Sequence, residues 1–275
     1  MNQNDLWNLN LKIFNLGGFV KRMQFGLFKR QTFSALKRNI ELVKNENRDK
    51  QAHVLALGPS LKRVILSKIE GDTIVVNRFY KFGLSYPSFT PTYYLMIDYG
   101  FMRSENRQDF EEALAMYANR GTIFILNSKL AGLSFVEKIP DKQLYFISPF
   151  DGRLNPKRDY RIDKWQPAFQ NVVGAAILTL MLMGYKNINL FGCDFNSFAS
   201  TKQTHCYKDK SETRLYPLYE ELFAYSFAAK DHNDLQELAK RMGVSIINRT
   251  EGSLIDAYPL EIDENFYISK NDENT

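Results

Sequence analysis

The chain holds three histidines, at positions 53, 205 and 232, in three different settings. His205 falls in the polar stretch 196–217, NSFASTKQTHCYKDKSETRLYP, which has little periodicity and reads as a lid. An imidazole titrates near neutrality, so a histidine in a loop over a cleft suits the role of general base for a hydroxyl proton. Tyr207, Lys208, Lys210 and Arg214 follow it and are of the right type to meet a departing phosphate. Arg78 can do the same, or pair with a carboxylate. The competing reading is an exposed histidine without a role among solvated charges. His232, in Lys-Asp-His-Asn-Asp, reads as an exposed helical or capping residue, and His53, opening an apolar run, as structural. Asp98 and Asp194 each end an apolar run. A metal ion wants several converging oxygens, and the chain has no Asp-x-Asp pair, so no metal is expected. Cys193 and Cys206 lack Cys-x-x-Cys spacing and read as reduced thiols. Glu251 and Asp256 read as loop carboxylates.

Such side chains act only if the backbone brings them together. His53–Leu57 reads as a strand that runs into the turn Gly58-Pro59-Ser60-Leu61, with a helix expected from Lys62 to Ile69. Gly58 permits close backbone approach, Pro59 suits the turn, Ser60 can cap, and amides exposed at a helix start attract phosphate. Further strands are expected at Thr73–Asn77, Tyr93–Ile97, Thr122–Leu126, Leu144–Ile147, Ile188–Phe191 and Val244–Asn248, and helices at Glu105–Asn119, Ala175–Met183 and Tyr219–Met242. The helix after Gly174 is apolar all round and therefore buried, and Gly184 ends it as a left-handed cap. This alternation predicts an α/β fold: a Rossmann-like, doubly wound, mainly parallel sheet. Gly58, Asn77, Asp98 and Asn127 all follow strands, at the sheet edge where such folds bind ligands.

The chain has 275 residues, 44% of them apolar and 24% charged, with 15 Tyr and 21 Phe, enough for a sizeable core. Disorder, coiled coil and a disulfide scaffold are excluded as the main architecture. The net charge of +5 is uneven: residues 1–50 carry +6 and the rest −1. That argues against nucleic acid as partner, since a basic face on the globular body is missing. Residues 1–50 instead read as a basic amphipathic helical arm. Leu6, Leu9, Ile13 and Leu16, then Val20, Met23 and Leu27, then Phe33, Leu36, Ile40 and Val43 are spaced for single helical faces, with basic pairs between. Such an arm can rest on an anionic membrane surface, pack on its own domain or join a homo-oligomer. Residues 45–51 read as a polar linker, 52–258 as the catalytic domain with its lid, and 259–275 as a tail. No run of about 18 apolar residues is present, and the first residues do not resemble a secretory signal. The expected location is cytoplasmic, peripheral to the inner face of the membrane.

Gly58-Pro59-Ser60-Leu61, Val76-Asn77-Arg78-Phe79-Tyr80 and Gly184-Tyr185-Lys186…Gly192-Cys193-Asp194-Phe195 occur in an order and spacing that resemble the bacterial lipooligosaccharide sialyltransferases. Thr204-His205-Cys206-Tyr207 and Asn248-Arg249-Thr250-Glu251-Gly252 look more like the related Maf-type flagellin glycosyltransferases. The resemblance spans roughly residues 52–258. It implies a metal-independent, cofactor-free glycosyltransferase that uses a CMP-activated acidic sugar. It places Gly58, Pro59 and Ser60 beside phosphate and sugar, Asn77 beside the donor, and Gly174 and Asp194 near the nucleotide. The chain departs from the sialyltransferase pattern at Leu57 (Asn there), at Val173 (Ser there) and near Tyr225, where the family has its base histidine. The sugar therefore stays open among sialic acid, another nonulosonate and Kdo. The expected reaction is an inverting transfer to a surface glycan or lipid-linked acceptor, with His205 as base. A Mg²⁺-dependent pterin or nucleotide diphosphokinase and a non-catalytic nucleotide-binding protein are the alternatives.

Overall fold

In the computed structural model, residues 35–98, 107–149, 152–199, 205–207 and 217–268 are described. Seven strands form one sheet: β1 (Gln51–Leu55), β2 (Asp72–Val76), β3 (Tyr93–Met96), β4 (Ile123–Asn127), β5 (Leu144–Ile147), β6 (Asn187–Phe191) and β7 (Ser245–Asn248). Their order is β5-β4-β3-β2-β1-β6-β7, and every pairing is parallel. A parallel sheet covered on both faces demands strands apolar on both sides. Ala52–Leu55, Thr73–Val76 and Tyr93–Met96 are buried without alternation. From β1 the chain builds outward to β5, then returns past β1 to lay down β6. The direction of winding thus reverses between β1 and β6, and crevices at such reversals are where open α/β sheets bind ligands.

Three long helices cover the sheet: α1 (Arg107–Asn119), α2 (Val172–Met183) and α3 (Leu218–Met242). α1 shares one core with Phe124, Leu126 and Phe135, while α2 and α3 share the other with Val54, Ile74 and Leu190. α2 is buried nearly throughout, as its all-apolar sequence predicts. Asn171 caps it by accepting from the Val173 amide at 2.8 Å, and Gly184 closes it in a left-handed conformation at φ 103°.

The helix expected over residues 62–69 is replaced by two 3₁₀ turns, Pro59–Arg63 and Leu66–Lys68, with Val64 and Ile65 extended between them. The cause is a partner from the far end of the chain. Val64 bridges to Tyr267, and the Ile65 amide donates to Phe266 O at 2.8 Å. Residues 45–51, expected as a linker, include a 3₁₀ turn whose buried Asn47 donates to Met183 O at 2.9 Å. Most of the expected arm lies outside the described residues. In its described end Leu36 and Asn39 are buried and Asn39 donates to Phe146 O and Ile162 O, whereas Ile40 and Val43 are exposed. The spacing of Leu36, Ile40 and Val43 therefore does not form one buried stripe. His232, expected to be exposed, is buried within α3 and shares a hydrogen bond with the Tyr258 hydroxyl at 3.0 Å. His53 is buried and bonds Glu70 O, a structural role as expected. No described helix is long and apolar enough to cross a membrane.

Candidate active site at the sheet reversal

The turn after β1 and the loop after β6 meet at the reversal. Ala56 N donates to Phe191 O and Gly58 N to Gly192 O, so the two segments continue side by side past the sheet. Gly58 allows this approach, since a Cβ there would lie 1.9 Å from Asp194 Oδ2 and 2.6 Å from Gly192 O. Gly192 itself turns the chain at φ 67°, with Ala56 O in the way of any side chain. The Asp194 carboxylate crosses back to the first turn. It accepts from Ser60 Oγ at 2.7 Å and from Ser60 N at 3.2 Å. Burial pushes the Asp194 carboxyl above its ordinary range, and the two Ser60 bonds oppose that shift.

Around this junction lies a cleft of about 220 Å³, walled by Leu57, Gly58, Pro59, Val76, Asn77, Asn171–Val173, Gly192–Ser197, His205, Tyr225 and Ile255. Two of its residues take the left-handed conformation that side chains usually avoid: Asn77 at φ 43° and Phe195 at φ 58°. Asn77 accepts the Ile97 amide on Oδ1, and its carbonyl accepts from Tyr94 Oη at 2.7 Å, which ties the end of β2 to β3. The Phe195 ring is held between Tyr225, at 4.7 Å between centroids, and buried His232, at 5.7 Å. Tyr225 bonds the Ser197 hydroxyl and packs edge-on against Phe198. Burial raises the Tyr225 phenol, which keeps it protonated and unsuited to act as a base.

His205 reaches the cleft because its neighbour is anchored. The Cys206 amide donates to Leu57 O at 2.8 Å, and the Cys206 side chain is buried. The Tyr207 ring stacks on the imidazole, 5.0 Å between centroids, with Lys81 Nζ 5.4 Å from the Tyr207 ring centre. Both cysteines are free thiols, and burial raises them, Cys206 to about 12, so neither is a thiolate at neutral pH.

Of the residues singled out from sequence, Gly58, Pro59, Asn77, Asp194 and His205 come together in the cleft, and Ser60 adjoins it through Asp194. Gly174 lies in the first turn of α2 beneath the Phe169 ring, one residue beyond the wall. Arg78, Asp98 and Asn127 stand outside the described wall, and Tyr207 lies behind His205. Asn127 is buried, donates to Ile97 O at 3.0 Å and caps the turn after β4 through Lys129 N. Lys208, Lys210 and Arg214 lie outside the described residues. Sequence reading did not single out Asn171, Phe195, Ser197 or Ile255 as wall residues. The available signals were the N-cap pattern at Asn171 and the place of Phe195 in the motif Gly192-Cys193-Asp194-Phe195.

No protein-family profile matches the sequence, and no curated protein matches it. Solved structures do match in fold. The monofunctional α-2,3-sialyltransferase Cst-I from Campylobacter jejuni aligns at a TM-score of 0.51 with 16% identity, over 82% of this chain and 85% of that one. The sialyltransferase CstII from Campylobacter jejuni, in complex with the substrate analogue CMP-3FNeuAc, aligns at a TM-score of 0.46 with 15% identity, over 80% of this chain and 89% of that one. What the chain shares with Cst-I is the architecture, an open Rossmann-like parallel sheet.

Proposed function

We propose that this chain is a glycosyltransferase that moves an acidic sugar from a CMP-sugar to a glycan acceptor. The observation that carries the reading is the convergence of Gly58-Pro59, Asn77, Asp194 and His205 on one cleft at the sheet reversal. Those residues carry the motifs that resemble the CMP-sugar transferases, and the fold likeness to the α-2,3-sialyltransferase Cst-I supports it. In the reaction, His205 takes the acceptor hydroxyl proton as the oxygen forms its bond to the anomeric carbon. The bond from that carbon to the phosphate oxygen breaks, CMP leaves with the electron pair, and the configuration inverts. Tyr207 keeps the imidazole oriented by stacking, and Cys206 fixes its backbone. Asp194 holds the Gly58–Ser60 turn, against which the donor rests. Asn77 faces the donor from the neighbouring strand. The chemistry asks for no metal. The diphosphokinase alternative requires Asp98 and Asp194 to share a cation, yet Asp98 is outside the described wall and Asp194 is engaged by Ser60. The basic arm, residues 1–50, is the segment through which the enzyme would meet an anionic membrane carrying lipopolysaccharide precursors, or a second copy.

The test is calorimetric binding of CMP, UDP, GDP and ATP, each with and without Mg²⁺, followed by turnover of CMP-N-acetylneuraminate and CMP-Kdo. The reading expects CMP to bind without metal, and His205→Ala to keep that binding while losing turnover by a hundredfold or more, the range of general-base contributions. ATP binding only with Mg²⁺ would refute it.

A further inference from the structure

Beyond the cleft, α3 carries an apolar track that its own packing leaves uncovered. Leu218, Tyr219, Leu222 and Phe223 are 46%, 71%, 44% and 55% exposed. Spacings of four and three place Leu218 and Leu222 in line with Tyr225, one turn further on, and Tyr225 is part of the cleft wall. Phe198 packs edge-on against Tyr225 at 4.9 Å, and Phe223 against Phe227 at 4.8 Å, so the track is braced from below by rings that are themselves packed. Single exposed apolar residues need no explanation, but a contiguous set leading into a cleft does.

Resting on the glycosyltransferase reading, we propose that this track is the acceptor subsite and that it takes pyranose rings. Three features choose that occupant. The track is continuous with the cleft, so a sugar chain lying on it points its terminal hydroxyl toward His205. Its aromatic members, Tyr219 and Phe223, offer flat faces to the C–H face of a pyranose, while Glu220, which accepts from the Tyr219 hydroxyl at 2.9 Å, lies beside them with Glu221 and can meet ring hydroxyls. The same two glutamates oppose an anionic lipid surface. A second copy of the chain is disfavoured by size. A stable dimer buries about 800 Å² per partner, and four half-exposed side chains of about 150–250 Å² each supply roughly half of that.

The experiment uses the full chain and two readouts. Saturation-transfer NMR is recorded with the methyl glycosides of lactose, cellobiose and chitobiose, with and without CMP, and CMP affinity is measured separately by calorimetry. The expected result is saturation of at least one glycoside by the wild type and its loss, at least tenfold in affinity, in Leu222→Ser/Phe223→Ser, with CMP affinity unchanged. Tyr219→Phe, which keeps the ring, retains binding and Tyr219→Ser weakens it. Equal saturation in wild type and the double variant, or none in the wild type, overturns the subsite. Absence of CMP binding in the wild type overturns the donor reading instead. A concentration-dependent dimer broken by Leu222→Ser/Phe223→Ser would assign the track to self-association and also overturn the proposal.

Discussion

An alanine methyl at position 58 has nowhere to go. It would meet the Asp194 carboxylate and the Gly192 carbonyl, and the backbone partner cannot swing aside. Gly58→Ala should therefore push the β1 turn away from the β6 loop, cost about 1–3 kcal/mol in urea denaturation as overpacking does, and weaken CMP binding by at least tenfold. Asp194 gives the complementary case. Asp194→Ala strands two Ser60 donors and should cost about 1–3 kcal/mol. Asp194→Asn keeps an acceptor and removes a buried charge, so its stability should stay within about 1 kcal/mol of the wild type. A larger loss for the asparagine variant would mean that the charge itself holds the turn. The place of Gly58, Asn77 and Asp194 at the cleft was legible in the sequence because they stand in turns directly after strands. That of Ile255 was not, and Tyr225 entered only through the family resemblance, at the position of its base histidine. They reach the cleft from elements far along the chain, and helical spacing alone does not say which face of α3 turns toward it.

At the scale of elements, the loop that leads into α2 is fastened from beneath by an ion pair. Arg153 and Asp231 are both almost wholly buried. Arg153 also donates to Phe227 O at 2.6 Å, and Asp231 accepts the Gln170 amide. Burial pushes the Asp231 carboxyl up and the guanidinium pulls it back down. Gln170 adjoins the α2 cap Asn171, so this pair sets how α2 enters the cleft. Arg153→Met leaves an unpaired buried carboxylate and should cost about 3–5 kcal/mol. Arg153→Met/Asp231→Leu should recover most of that loss in the same urea titration, because a buried pair replaced as a unit is close to neutral. Neither partner was legible beforehand, since Arg153 sits in a stretch without periodicity and its mate is 78 residues away. Strands and long helices were legible to within a few residues, because apolar runs and 3.6-residue spacing are local. The failure at residues 62–69 has the opposite cause: Val64 and Ile65 are extended by pairing with Tyr267 and Phe266, which no local window contains.

For the whole molecule, the placement of one buried histidine ties acid stability to the wall of the cleft. His232 lies between Phe195 and Tyr258, and burial lowers it from 6.5 to about 4. In the unfolded chain it takes up a proton near its ordinary value, so between about pH 6.5 and 4 the unfolded state binds more protons than the native state. The contribution of His232 to stability therefore falls as pH drops through that window and levels off below it. The shift of about 2.5 units corresponds to about 3 kcal/mol at 1.36 kcal/mol per unit. His53, also lowered by burial, adds to the fall, whereas Asp194 and Asp231, both raised by burial and the latter to about 7, work the other way. His232→Asn removes the titration and keeps a partner for Tyr258. Its unfolding free energy, measured in urea at pH 7 and pH 4.5, should lose about 2–3 kcal/mol less than the wild type does over the same interval. An unchanged pH slope would mean that His232 is already charged in the native state. A charged imidazole against the Phe195 ring would disturb the left-handed residue that follows Asp194. Because the native imidazole stays neutral down to about pH 4, that disturbance sets in only below this value, and wild type and His232→Asn should show the same pH dependence of CMP binding between pH 7 and 4.5.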